Sequence, residues 1–361
     1  ICASCRNPYP DHGAPALCSH CGGQFCFDGH FPFSPLEIDG RQPGMWRYRR
    51  AFALPPEAPM LTLGEGNTPL VWTAIGEIPV GLKLESLNPT GSYKDRGAAL
   101  IVSRLVERGV TAAVEDSSGN AGASFAAYAA RAGIHAKVFV PESAYGPKRA
   151  QIEAYGAEMV RVPGPRSAAA QAVMDEVRRG NVYASHAYLP FGLAGIASIA
   201  YEIWEEMGVA PGTIVAPAGH GGLLCGLAMG FAALDHEQLI PFQPYFVGVQ
   251  AANCAPLAAA FSGGTEAMAD VKEGATIAEG VRVRWPSQAA ALLRLLSHGR
   301  GEIAIVEEEK ILPAWEELAR LGFYVEPTSA LVWAAVKTHI NDLPEPIVMI
   351  ISGHGLKFHG Q

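Results

Sequence analysis

Four cysteines open the chain in two pairs, Cys2-x2-Cys5 and Cys18-x2-Cys21, with twelve residues between the pairs. That spacing lets two tight knuckles present four thiolates to one tetrahedral zinc, and four protein ligands leave no open position, so such a zinc is structural and not catalytic. Two disulfides or inert buried thiols are the alternatives, the former disfavoured in a chain of cytosolic character. His12, His20 and Cys26 are spare ligands. A second constellation is Asn88-Pro89-Thr90-Gly91-Ser92-Tyr93-Lys94-Asp95-Arg96-Gly97, which leads into a helix predicted over Ala98 to Glu107. A lysine at a helix start opposes the positive end of the helix dipole; the same field lowers its pKa and favours the neutral amine that a Schiff base requires. A solvated surface lysine would look the same in sequence.

Three further stretches could bind ligand groups. Ser117-Ser118-Gly119-Asn120-Ala121-Gly122 lies between a strand ending near Asp116 and an alanine-rich helix. Hydroxyls and backbone amides at a helix N-terminus suit an amino-acid carboxylate, although capping of the helix by Ser118 or Asn120 explains the same residues. Ala218-Gly219-His220-Gly221-Gly222-Leu223 follows a strand and precedes a helix, and its glycines let backbone amides converge on a phosphate. It has neither the Lys-Ser/Thr ending of a P-loop nor the GxGxxG spacing, and a tight strand-to-helix turn needs glycines too. Ser352-Gly353-His354-Gly355 follows a buried strand, at the edge where ligands of parallel sheets bind, though Ser352 also suits a plain turn.

The elements that must position these groups are short apolar runs alternating with alanine-rich helical stretches, the pattern of mostly parallel sheets wrapped by helices. Strands are predicted at Ala112 to Glu115, Ala136 to Val140, Glu158 to Val162, Thr213 to Ala216, Tyr245 to Val249 and Ile347 to Ile351, with helices at Ala121 to Ala132, Ile196 to Met207 and Leu223 to Leu234. The expected fold is α/β and two-lobed, with parallel twisted sheets, helices on both faces, and a small zinc-ribbon-like module at the start. Residues 1–30, dense in Cys, His, Gly and Pro, cannot build a core unaided and need a staple. Residues 31–61 form a proline-rich connecting arm. A larger domain is expected over 62–97 and 200–361, and a smaller mobile one over 98–199.

Composition excludes several classes. A net charge of -8, without any long basic block, argues against a nucleic-acid surface. No run of 18 apolar residues exists, and residues 1–30 lack an apolar secretory core, so a cytoplasmic enzyme acting on small molecules, with no membrane partner, is expected.

Taken together, these stretches resemble the fold type II pyridoxal-phosphate enzymes. Leu63-Gly64-Glu65-Gly66-Asn67-Thr68-Pro69-Leu70 and Asn88 to Gly97 look like the threonine synthase family, as do Glu326-Pro327-Thr328-Ser329-Ala330 and Ser352-Gly353-His354-Gly355-Leu356-Lys357. Many relatives carry an N-terminal cysteine module. The resemblance implies pyridoxal 5'-phosphate held by Lys94 as a Schiff base. Asn120 would bond the ring hydroxyl, Gly219, His220, Gly221, Gly222 and Leu223 the phosphate, and Ser352 the pyridine nitrogen. Ser117, Ser118 and Asn120 would receive the amino-acid substrate, and Lys94 would act as general base. A hydroxyl cannot protonate the ring as a carboxylate could, which favours elimination or replacement over transamination. A homodimer is a further implication.

The stretch Pro190-Phe191-Gly192-Leu193-Ala194-Gly195 lacks the arginine that threonine synthases use for the phosphate of O-phosphohomoserine, and Phe358 stands where an aspartate commonly follows the lysine. Lys148, Arg149, Arg282 and Arg284 could replace that arginine, or simply be solvated charges. The expected activity is threonine synthase-like lyase chemistry converting O-phosphohomoserine to threonine. A serine or threonine dehydratase or a β-replacement enzyme is the alternative, and a non-catalytic ligand sensor a remote one.

Overall fold

A computed structural model describes residues 1–297 and 299–358. The chain divides into two compact units, one formed by Ile1–Gly66 with Lys94–Gly195 and the other by Asn67–Tyr93 with Ile196–Phe358.

The first unit carries a four-stranded parallel sheet in the order Glu158–Val162, His135–Pro141, Ala112–Glu115, Val182–Tyr183. Its helix Asn120–Ala132 is almost all alanine, glycine and aromatic on the buried side, as strong helix propensity and a packed face require. It stops at Gly133, in the left-handed region at φ 70°, whose amide reaches back to the carbonyls of Ala129 and Ala130. The helix expected from Ala98 starts four residues earlier and spans Lys94–Glu107, so Lys94 is its first residue.

The proline-rich arm does more than connect. It forms a 3-10 segment over Gly44–Phe52 that buries Met45, Trp46, Tyr48 and Phe52. Glu65, fully buried, gathers this packing: it accepts from Trp46 Nε1 at 2.6 Å, from Tyr128 Oη at 2.6 Å and from the Leu63 amide at 2.9 Å. A buried carboxylate is tolerable only when its oxygens are satisfied in this way.

The second unit holds a six-stranded sheet in the order Leu70–Ile75, Ile78–Lys83, Ile347–Ile350, Thr213–Pro217, Tyr245–Ala251, Gly301–Val306. The first two strands pair antiparallel and the rest are parallel. Its central strands are buried almost throughout and mostly apolar, Ile347–Ile350 being only Ile, Val and Met, because both faces are covered. Val80, Leu82, Val215, Val249, Ile347 and Met349 anchor the core together with the helix Pro327–His339. Lys83 is buried here, where Glu202 lies 3.2 Å away and Glu206 also pairs with it.

Candidate active site

Lys94 heads its helix, with Asp95 behind it accepting from Ser124 Oγ at 2.6 Å. Burial pushes the Lys94 ammonium down from 10.5 to about 7, Arg166 adds repulsion in the same direction, and Glu115 opposes both. The sequence attributes the lowering to the helix dipole; removal from water is the largest cause in the structure. Lys94 therefore presents a substantial fraction of neutral amine near neutral pH, as a nucleophilic lysine must. It lines a small pocket with Ala98, Ile101, Glu115, Phe125 and His186.

The strand Ala112–Glu115 delivers Ser117 and Ser118 to the start of the helix Asn120–Ala132. Neither Ser118 nor Asn120 caps that helix. Its N-cap is Gly119, with no side-chain cap bond, while the Ser117 hydroxyl accepts from the Gly119 amide at 3.2 Å. A Cβ at Gly122 would overlap the Ser117 carbonyl oxygen and come within 3.1 Å of Ile152 Cδ1, so only glycine lets the loop fold back over the helix start.

In the second unit the loop after Thr213–Pro217 runs through Gly219 and Gly221 into the helix Gly222–His236, again without a side-chain cap. Gly221 sits at φ 94°, and a Cβ on Gly219 would lie 2.7 Å from the Gly280 carbonyl oxygen. The loop is buttressed from behind: Gln288 N donates to the His220 carbonyl at 3.0 Å and Ser287 Oγ lies 3.2 Å from His220 Nδ1. A backbone cradle that a side chain would fill, opening on a helix N-terminus, fits a phosphate.

Ser352 follows the strand Ile347–Ile350 and is buried, its hydroxyl 3.2 Å from that of Ser329, which accepts from the Gly353 amide at 3.0 Å. Its carbonyl accepts from the Tyr93 amide at 3.1 Å, in the residue just before Lys94. Lys357, buried, donates to the Thr90 carbonyl at 2.6 Å, and Asn88 Nδ2 bonds Glu85 at 2.8 and 2.9 Å. The stretch from Asn88 to Ser92 is thereby pinned as scaffold.

All four N-terminal sulfurs lie within 4.8 Å of one another, Cys2 and Cys21 at 3.5 Å and Cys5 and Cys18 at 3.7 Å. Zinc–sulfur bonds of about 2.3 Å in a tetrahedron imply sulfur separations near 3.8 Å, so the donor set fits. No disulfide joins them. His12, His20 and Cys26 are not part of the cluster.

The stretch that lacks the arginine has another use in this chain. Phe191 packs edge-on against Tyr9 at 5.0 Å, with the guanidinium groups of Arg104 and Arg108 over its ring at 5.6 and 5.8 Å. Arg108 also donates to the Pro10 carbonyl at 2.9 Å, so Phe191 helps to seat the cysteine module on the Lys94 helix. Of the other basic candidates, Arg149 is engaged by Glu153 at 3.6 Å, Arg282 by Glu273 at 3.1 Å, and Arg284 by the Ala269 carbonyl and the Trp285 ring. Arg166, which no sequence pattern marks, is exposed and its charge acts on both Lys94 and Glu115. Glu115, His186 and Ser329 likewise carry no motif that ties them to the site, although Glu115 closes a predicted strand and Ser329 lies in the stretch Glu326 to Ala330.

Mostly parallel sheets, a lysine amine brought down to about 7 in one unit and a glycine cradle that fits a phosphate in the other suit an α/β enzyme. Residues 61–353 match the family described as Pyridoxal-phosphate dependent enzyme. The chain is 34% identical over 337 residues to a threonine synthase of Methanocaldococcus jannaschii, covering 90% of this chain and 83% of the relative. It is 30% identical to a threonine synthase of Methanosarcina acetivorans, covering 99% and 91%. Among solved structures, a T.th. threonine deaminase superposes with a TM-score of 0.66 at 29% identity, over 81% of this chain and 94% of that one. Maize serine racemase shares the fold at TM-score 0.67 and 21% identity, over 80% and 88%. The chain belongs to the family of pyridoxal-phosphate dependent enzymes, as a lyase of fold type II with pyridoxal 5'-phosphate as its cofactor.

Proposed function

We propose that the chain catalyses threonine synthase-like elimination and replacement on an amino-acid substrate, O-phosphohomoserine, with Lys94 as the residue that holds the cofactor. The observation that carries this reading is the Lys94 amine, brought down to about 7 at the head of a helix. Pyridoxal phosphate, when bound, supplies an electron sink that acidifies the proton on the substrate's α-carbon. The amides of Gly219, His220, Gly221, Gly222 and Leu223 would hold its phosphate, Asn120 its ring hydroxyl and Ser352 its ring nitrogen. Ser352 offers only a hydroxyl, itself shared with Ser329, so it would leave the ring nitrogen without full positive charge and would favour elimination over transamination. Ser117, Ser118 and the amides beside Asn120 would take the substrate carboxylate. Lys94, its amine freed on substrate binding, would carry the α-proton.

Dehydratase chemistry is the second reading, favoured by the engagement of Phe191 with Tyr9 in the stretch without an arginine. The test is a turnover assay of the cofactor-loaded enzyme with O-phosphohomoserine, serine and threonine in parallel. Phosphate release with threonine as product is expected; keto acid from serine or threonine, without phosphate release, would establish the dehydratase instead.

The same proposal includes a structural zinc on Cys2, Cys5, Cys18 and Cys21 in a ribbon-like module whose own core is only Cys2, Cys18 and Phe25 with Cys5 and Tyr9 against it. Cys18→Ser is expected to lower bound zinc and melting temperature while leaving kcat of the folded fraction close to wild type, since the site is closed. A metal-free wild type of full stability would refute the zinc. A cytoplasmic location is part of the same reading, since four cysteines grouped as metal ligands rather than disulfides are usual there; no helix among the described residues is long and apolar enough to cross a membrane. A homodimer, the usual assembly of such enzymes, completes the proposal and is checked by sedimentation.

A further inference from the structure

Glu115 ends its strand with its side chain inside the protein, 1% exposed, and its Oε2 has no hydrogen-bond partner among the described residues. It shares the pocket wall with Lys94 and His186, and His186 Nδ1 lies 4.0 Å from its Oε1. An ionised carboxylate in such a place is costly, whereas a protonated one is not. Burial, with the neighbouring Asp116 charge, pushes the Glu115 carboxyl well above the usual range. An amine that must become neutral and a carboxylate that gains by becoming neutral therefore face the same pocket.

We propose that Glu115 is the proton partner of Lys94, taking up the proton the Lys94 ammonium must lose before its amine reacts and returning it when that amine must be protonated again. The step balances within the pair: ammonium and carboxylate become amine and carboxylic acid, one N–H bond breaks, one O–H bond forms, and the net charge of the pocket is unchanged. The groups that bear on Glu115 are Lys94 and Arg166, which favour its charged form, Asp116, which disfavours it, His186 beside it, and Tyr183, which donates to Asp116 at 2.7 Å. Lys94 is itself half-buried and His186 has 22% of its side chain exposed, so the pair is not sealed from solvent. In this role Glu115 is a positioning residue, acting through Lys94, and the inference rests on Lys94 being the reactive amine.

The pair titrates as a unit, and the reactivity of Lys94 in the cofactor-free protein reads it directly. Competitive acetylation, followed by quantifying the Lys94 peptide across pH, gives the midpoint at which the amine becomes available. Glu115→Gln has the shape of the protonated acid but can accept no proton and offers no negative charge to the ammonium. Its Lys94 midpoint is expected to fall by about one pH unit, the size of effect that one nearby opposite charge exerts. A folded Glu115→Gln protein with the wild-type midpoint would overturn the proposal, and that result is independent of whether Lys94 binds the cofactor. If Glu115→Gln does not fold, infrared spectra of wild-type protein with labelled glutamate decide. A neutral carboxyl band at pH 7 that shifts when Lys94 is acetylated is required, and its absence would equally overturn the proposal.

Discussion

Lys94→Ala is expected to lose the cofactor's lysine-linked absorbance and at least about 10²–10⁴-fold in turnover, the contribution of a positioned general base, with the covalent anchor lost besides. Among the described residues no other lysine lines the pocket that holds Lys94, so the variant has no amine there to take over. The same replacement makes a prediction about stability in the cofactor-free protein. Lys94 titrates near 7 when folded and near 10.5 when unfolded, so between those values the unfolded chain binds more protons and wild-type stability gains with rising pH. Below pH 7 the cost of the buried ammonium is present in full. The stability of Lys94→Ala relative to wild type should therefore be greatest at pH 7 and below and fall as pH rises towards 10.5, which urea unfolding of both proteins at several pH values measures. An unchanged absorbance would remove Lys94 from its role; a pH-independent difference would mean that its amine is not withdrawn from water to the extent its lowered pKa implies.

Whatever depended on local chemistry was readable in the chain. The short apolar runs at Ala112, Ala136, Glu158, Thr213, Tyr245 and Ile347 announce strands, and all six are strands, although Glu158–Val162 lies at a sheet edge and stays partly exposed. The pairing of the four cysteines was visible in their spacing alone. What escaped depends on tertiary context. The hairpin from Leu70 to Lys83 holds Gly76, Pro79 and Gly81, and its outer strand leaves Trp72 46% exposed, so neither its apolar content nor its alternation stands out. The helix Glu308–Arg320 carries Pro313 in its interior, which ordinarily argues for a break. Glu115 reads as the polar end of a strand, the place where a chain usually meets water; only the fold shows that this end turns inward towards Lys94. For Lys94 itself the direction of the pKa shift was legible and its chief cause was not, because the helix start is written in local sequence and burial is not. Arg166 follows Gly164 and Pro165 in a stretch that reads as a loop, so nothing local ties it to the site.

Gly122→Ala should separate architecture from propensity. In an exposed helix interior the change would stabilise by about 1 kcal/mol, because alanine is the better helix former. Here the new methyl would overlap the Ser117 carbonyl oxygen and approach Ser117 C at 2.9 Å and Ile152 Cδ1 at 3.1 Å. Two of those atoms are backbone, and Ser117 follows closely on a strand paired on both sides, so the loop Ser117–Gly119 is what must yield. Overpacking of this kind costs about 1–3 kcal/mol, which leaves a net loss of at most about 2 kcal/mol and a melting shift of a few degrees. Activity should suffer far more, since moving the loop proposed to take the substrate carboxylate by about 1 Å can cost on the order of 10²-fold. The expected signature is a kcat/KM lowered by about that factor in a protein that is still folded. Gly133→Ala supplies the contrast at the other end of the same helix: its φ of 70° disfavours a side chain, but no atom lies within 4 Å of the new methyl. That variant should lose about 1 kcal/mol of stability and keep its kcat/KM. If instead Gly122→Ala turns over substrate like wild type, the Ser117–Ser118 loop is not where the substrate carboxylate binds.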